Sequence, residues 1–158
     1  GVDYQIERRY DEAIEQLRKT IEMDPTFYYA HWNLGLTYDL KGDFGAAFKE
    51  YQEALRLSND SRVLGLMGRA YASSGQHEEA MKILEQLKER SSREYVDPFA
   101  FVQVYAALND KDAAFQWLEK CHQDHCPYMV VIKVDPTIDD LRSDRRYSDL
   151  LRRVGLAQ

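Results

Sequence analysis

The chain has 158 residues, of which 44% are hydrophobic and 30% charged, and its formal net charge at pH 7 is −6. That is the size of one domain able to bury a core. The acidic balance argues against a phosphate backbone, which needs clustered Lys and Arg, and no apolar run reaches the roughly 18 residues of a membrane span, so neither nucleic acid nor membrane is an expected partner.

In chain order, Gly1 to Tyr10 is polar and charged and carries no signal-peptide pattern. The first unit closes on Asp24-Pro25. Tyr28 to Lys41 reads as an amphipathic helix, with Gly42 where a helix C′ glycine belongs. Phe44 to Leu57 follows, apolar at helical spacing through Phe48, Tyr51 and Leu55. A third pair of helices turns around Gly75, with Glu78 and Glu79 at the positive end of the second one. A fourth opens on Asp97-Pro98, a first-turn proline signal, and turns at Asn109-Asp110. Pro127 to Lys133 reads as a short apolar helix broken by Val134-Asp135-Pro136. Ser143 reads as the N-cap of a last helix whose apolar face is Tyr147, Leu150, Leu151 and Val154, ending at Gly155.

The units are copies. Tyr4, Tyr38, Tyr71 and Tyr105 recur at intervals of 34, 33 and 34, and so do Ala13, Ala47, Ala80 and Ala114. Gly1, Gly35 and Gly68 keep the same beat, with Val102 in the fourth place, as do Leu17, Tyr51, Leu84 and Leu118. A fixed period of this length is the mark of a helical solenoid. Small residues let the two helices of a hairpin approach, and the larger ones fill the space between hairpins.

On these residues, most clearly Leu34-Gly35-Leu36-Thr37-Tyr38, Gly42-Asp43-Phe44, Ala47, Tyr51 and Ala54, the chain resembles the tetratricopeptide repeat. Arg8 and Asn109 stand in for the turn glycine, and His31 takes the place of the familiar tryptophan, with Trp32 following. The resemblance implies an all-α fold, a right-handed α-α superhelix with a C-terminal capping helix. The expected array covers residues 1–126, as a partial repeat at 1–27 and repeats at 28–60, 61–94 and 95–126, and a helical cap covers 127–158. The array begins in mid-hairpin, so the expectation is a piece of a longer protein with an open N-terminal end. Lys133 to Pro136, Leu141 to Asp144 and Leu150 to Leu156 resemble the ends of repeat regions in bacterial regulatory proteins. The last helix reads as a seal on the array or as a partner-binding helix.

The family's ligand face is the concave surface of the first helices. Carried over by phase, it implies partner-binding residues at Tyr29, Trp32, Asn33, Leu36, Arg62, Arg69, Phe99 and Gln103. Aromatics beside arginine are the composition of binding hot spots, and Tyr29, Trp32, Arg69 and Phe99 are the expected peptide anchors. The competing reading packs Tyr29, Trp32 and Phe99 between neighbouring first helices. Asn33 and Arg62 match the carboxylate clamp of some family members, but Val2 and Leu66 do not. The expected function is therefore a non-enzymatic, cytoplasmic protein-interaction module or scaffold that takes a protein or peptide partner, with no cofactor. Self-association into a homo-oligomer through the N-terminal end is the alternative.

Other chemistry is thin. Cys121-His122-Gln123-Asp124-His125-Cys126 holds zinc-ligand types, but no second ligand pair is offered from another segment. Two cysteines are too few for a disulfide scaffold, and a reducing setting is the default. A buried core cysteine with surface histidines is the plainer reading, and a zinc site at 121–126 the sharper one. His31 and His77 are isolated, and no phosphate loop or metalloprotease motif is present.

Overall fold

The structure, a computed structural model, describes residues 9–156. The expected opening of the array at Gly1, with Val2, Tyr4 and Arg8, lies outside the described residues. Helices α1 (Tyr10–Met23), α2 (Tyr28–Lys41), α3 (Phe44–Ser58), α4 (Ser61–Ser73), α5 (His77–Ser91), α6 (Pro98–Ala107) and α7 (Lys111–Gln123) follow one another. Two 3-10 helices, Pro127–Val130 and Pro136–Leu141, lead to α8 (Arg145–Arg153). Among the described residues there is no strand. None of their helices is long and apolar enough to cross a membrane.

Aspartates start most of these helices. The side chains of Asp43, Asp60, Asp97 and Asp110 accept from the backbone N–H of Ala46, Arg62, Phe99 and Ala113, satisfying donors that a helix start leaves unpaired. Residues with positive φ stop them: Gly42 (φ 87°) after α2, Gly75 (φ 82°) after α4 and Asn109 (φ 60°) after α6. Asparagine tolerates that region better than other non-glycine residues, so the fourth hairpin turns as the others do.

Within each hairpin, repeat phase becomes contact. The Tyr51 ring is fully buried and sits over Gly35, where an added Cβ would lie 2.7 Å from its Cδ1. Gly68 faces Ile83 and Val104 in the same way. Gly65 does something further: a Cβ there would lie 2.7 Å from Ala100 Cβ and 2.8 Å from its Cα. This position, in phase with Trp32 and Phe99, brings the backbones of α4 and α6 together.

The tail departs from the sequence reading. Pro127 to Lys133 is not a regular α-helix; it is a single 3-10 turn and its continuation. Met129 and Ile132 point into the core at a spacing of three, as a 3-10 turn requires. The β-branched run Val130-Val131-Ile132 disfavours α-helix. Asp144, rather than Ser143, caps the last helix, accepting from Arg146 N at 3.0 Å. Tyr147 and Leu150 of α8 are buried in one core with Phe99, Phe115 and Leu118. Tyr147 Oη donates to Ile132 O at 2.8 Å, tying α8 to the tail. Between α7 and α8 the chain lies back over α6, with the Pro136–Leu141 turn packed against it.

Candidate functional site

The first helices α2, α4 and α6 share a face, and the tail covers part of it. Between them is a cavity of about 230 Å³. Its wall on the array side is Tyr29, Trp32, Asn33, Leu36, Leu66 and Gln103. The tail side is Tyr128, Val131, Val134, Asp135, Pro136 and Thr137. Trp32 is buried, while Tyr29, Val131 and Val134 are exposed at 42%, 38% and 47% and form an apolar rim. The Tyr29 and Trp32 rings meet at 5.2 Å between centroids, tilted by 59°.

The eight residues implied by phase divide. Tyr29, Trp32, Asn33, Leu36 and Gln103 line this cavity. The Asn33 side chain donates to Tyr29 O at 2.7 Å, fixing the α2 wall, and Gln103 Nε2 donates to Thr137 Oγ1 at 3.1 Å, holding the tail down. Phe99 lies under the tail: its ring stacks on Tyr128 at 4.9 Å and 3°. Burial pushes the Tyr128 hydroxyl up to about 12, so it stays protonated at neutral pH.

Arg62 stands at the border. Its guanidinium lies 4.8 Å from the centre of the Trp32 ring, a cation–π distance, and pairs with Asp60 at 2.6 Å. Arg69 is held inside, its Nη1 2.6 Å from Oδ2 of the fully buried Asp39 side chain, which also accepts from Tyr51 Oη at 3.2 Å. Burial raises the Asp39 carboxyl against the pull of Arg69 and Tyr51. Asp39 Oδ1 and Arg69 Nε have no hydrogen-bond partner among the described residues.

The cysteines correct an expectation. Cys121 and Cys126 are joined in a disulfide, with their Cα atoms 5.0 Å apart. The turn after α7, where His125 takes φ 56°, folds Cys126 back so that its N–H meets Cys121 O at 2.9 Å. A buried third ligand type does come from another segment: Asp97 at the start of α6, whose carboxylate lies within 4.8 Å of both sulfurs. Bonded to each other, the two sulfurs present no thiolate to a metal. His125 faces away, its Nδ1 against Gln123 O. His31 is no isolated base either, since its ring bridges Glu50 and Pro25 O.

Two models of the tetratricopeptide repeat family match the chain, over residues 3–62 and 40–96. The chain belongs to the tetratricopeptide repeat family. Its fold is that family's all-α, right-handed superhelical solenoid. A TPR repeat-containing protein of Methanocaldococcus jannaschii is 25% identical over 113 residues, which is 71% of this chain and 20% of that protein. The match thus spans about a fifth of the relative's length. Tetratricopeptide repeats generally mediate protein–protein interaction and are typically non-enzymatic modules.

The tail residues of the cavity had a signal in the sequence. Tyr128 to Ile132 with Val134 is too apolar for a solvated connection, so it had to lie on something. Repeat phase could not say on what, because the tail has no counterpart in the earlier units.

Proposed function

We propose that this tetratricopeptide array binds a segment of a partner protein in the cavity between its concave face and the tail. The observation that carries this reading is the apolar rim of Tyr29, Val131 and Val134 standing open above the buried Trp32. Exposed apolar side chains clustered around a concavity mark interaction sites. The cavity is smaller than the roughly 300–1,000 Å³ of drug-sized ligand sites, which suits one anchoring side chain of a longer segment. The resemblance of the last residues to regulatory repeat proteins supports a regulatory parent.

The test is selection of binding peptides from a displayed random library, followed by titration of the winners against variants. Tyr29→Ala and Val131→Glu are expected to weaken them at least tenfold with the thermal melt retained. Met81→Glu, on the exposed face of α5, is expected to leave them unchanged. Peptides indifferent to Tyr29 and Val131 would move the binding face elsewhere.

A further inference from the structure

We infer that the cavity is built for a lysine side chain of the partner, with its ammonium at the Asp135 carboxylate and its methylenes between the aromatic and valine walls. This rests on the binding-site reading above and names the chemistry of the occupant.

Asp135 is an acid to which no cation of the chain is directly paired among the described residues. Its Oδ1 accepts from Thr137 N at 2.8 Å and from Thr137 Oγ1 at 2.6 Å. Its Oδ2 has no hydrogen-bond partner among the described residues, and the residue lines the cavity. Three guanidiniums lie in this region, and each is joined to another acid. Arg62 pairs with Asp60, Arg69 with the buried Asp39, and Arg142 with Asp139 at 2.8 Å. The fields of Arg69 and Arg142 reach Asp135 and partly offset its burial, which nevertheless raises its carboxyl. A half-buried carboxylate with an open oxygen invites a cation.

The walls favour the same occupant. Tyr29, Trp32 and Tyr128 present three aromatic rings to one small space, and such rings attract cations through their faces. Leu36, Val131 and Val134 offer apolar contact to a methylene stem, the manner in which long basic side chains bury their length. The net charge of −6 draws basic partners at long range.

The free valence selects ammonium over guanidinium. Arginine binds carboxylates best through two parallel bonds that engage both oxygens. Here Thr137 occupies Oδ1, leaving one oxygen for a point-like donor.

The test uses lysine-stem probes on the intact chain. Pentylammonium, 1-pentanol and pentanoate are titrated while the Trp32 indole and the Val131 and Asp135 amides are followed by NMR. Pentylammonium is expected to shift these signals and to bind about tenfold tighter than 1-pentanol, as an added charge-assisted hydrogen bond implies. Pentanoate is expected to bind more weakly than either. Asp135→Asn, which can still accept from Thr137, is expected to bring pentylammonium down to the level of 1-pentanol with an unchanged melt. If 1-pentanol equals pentylammonium in the unaltered chain, or if Asp135→Asn changes nothing, the cation assignment falls and the binding cavity stands. If no probe moves these signals, the cavity reading falls with it.

Discussion

The second and third hairpins and the C-terminal tail face each other across the cavity, and they are held by different forces. In the hairpins, Gly35 and Gly68 make room for the side chains of Tyr51, Ile83 and Val104, Gly65 lies against the backbone of Ala100, and a buried ion pair, Asp39 with Arg69, spans α2 and α4. In the tail, Ile132, Ile138, Leu141, Tyr147 and Leu150 are buried one by one, and α8 is tied to α7 by exposed ion pairs, Arg146 with Asp112 and Arg153 with Glu119. The array is over-determined by local contacts repeated from unit to unit. The tail depends on single contacts between residues far apart in the chain. The cavity has one wall of each kind, so loss of a single contact is expected to disturb its tail side more than its array side.

The largest expected effect is in the array. Asp39→Ala leaves Arg69 buried without its anion and removes an acceptor from Tyr51. Breaking a buried pair from one side costs about 3–5 kcal/mol, to be read from the urea midpoint at constant slope. The double variant Asp39→Leu, Arg69→Met is expected to recover most of that loss, because the pair is replaced by apolar volume. A double variant as weak as Asp39→Ala would show that the pair is worth more than its packing.

Gly65→Ala comes next. The added methyl meets the Cα of Ala100, which cannot rotate away. Overpacking of this kind costs about 1–3 kcal/mol, measured in the same denaturation experiment. A neutral outcome would mean that α4 and α6 slide apart freely, and the array would not be the rigid side.

The smallest effect separates the two regions by pH. The hydrogen bonds from Arg146 hold the half-buried Asp144 carboxyl down at about 2, from an ordinary 3.8. The hydrogen bond from Arg153 likewise lowers Glu119. Depressed carboxyls stabilise the fold above their ordinary pKa and lose that contribution as pH falls towards the folded value. Asp39 has the opposite sign: burial raises it, so the folded array holds that proton more firmly than the unfolded chain does. Glu53 and Asp60 of the array are lowered too, but by Arg56 and Arg62 close to them in the chain, whereas Arg153 with Glu119 joins α8 to α7. Between pH 4 and 2, α8 is therefore expected to loosen before α2 to α5. Amide signals of Tyr147 and Leu150 fading ahead of those of Tyr38 and Tyr51 would show it; simultaneous loss would make tail and array one cooperative unit.

Much of the array was legible. Helix α2 occupies the residues read from its pattern, Tyr28 to Lys41, because Gly42 adopts the left-handed turn that such a stop needs. Pro98 opens α6 at its first turn, behind the Asp97 cap. Of the eight residues carried over by phase, five share one cavity, since phase fixes which way a side chain leaves its helix. Phase cannot show what else arrives at the same face. Phe99 was readable as a groove residue but not as the seat of Tyr128, and Arg69 not as the partner of Asp39. The disulfide escaped for a related reason: a spacing of five closes only if the chain turns sharply at His125, a non-glycine residue at positive φ.

The repeat, its hairpins and the direction each first helix presents were legible in the amino acids alone. Those follow from local rules: periodic burial, caps and turns, acting within one unit and its neighbour. That the tail packs against α6, and that Asp135 lines one cavity with Tyr29 and Trp32, came from the folded chain. Those contacts join single residues of the tail to residues of the repeats, and no period relates them.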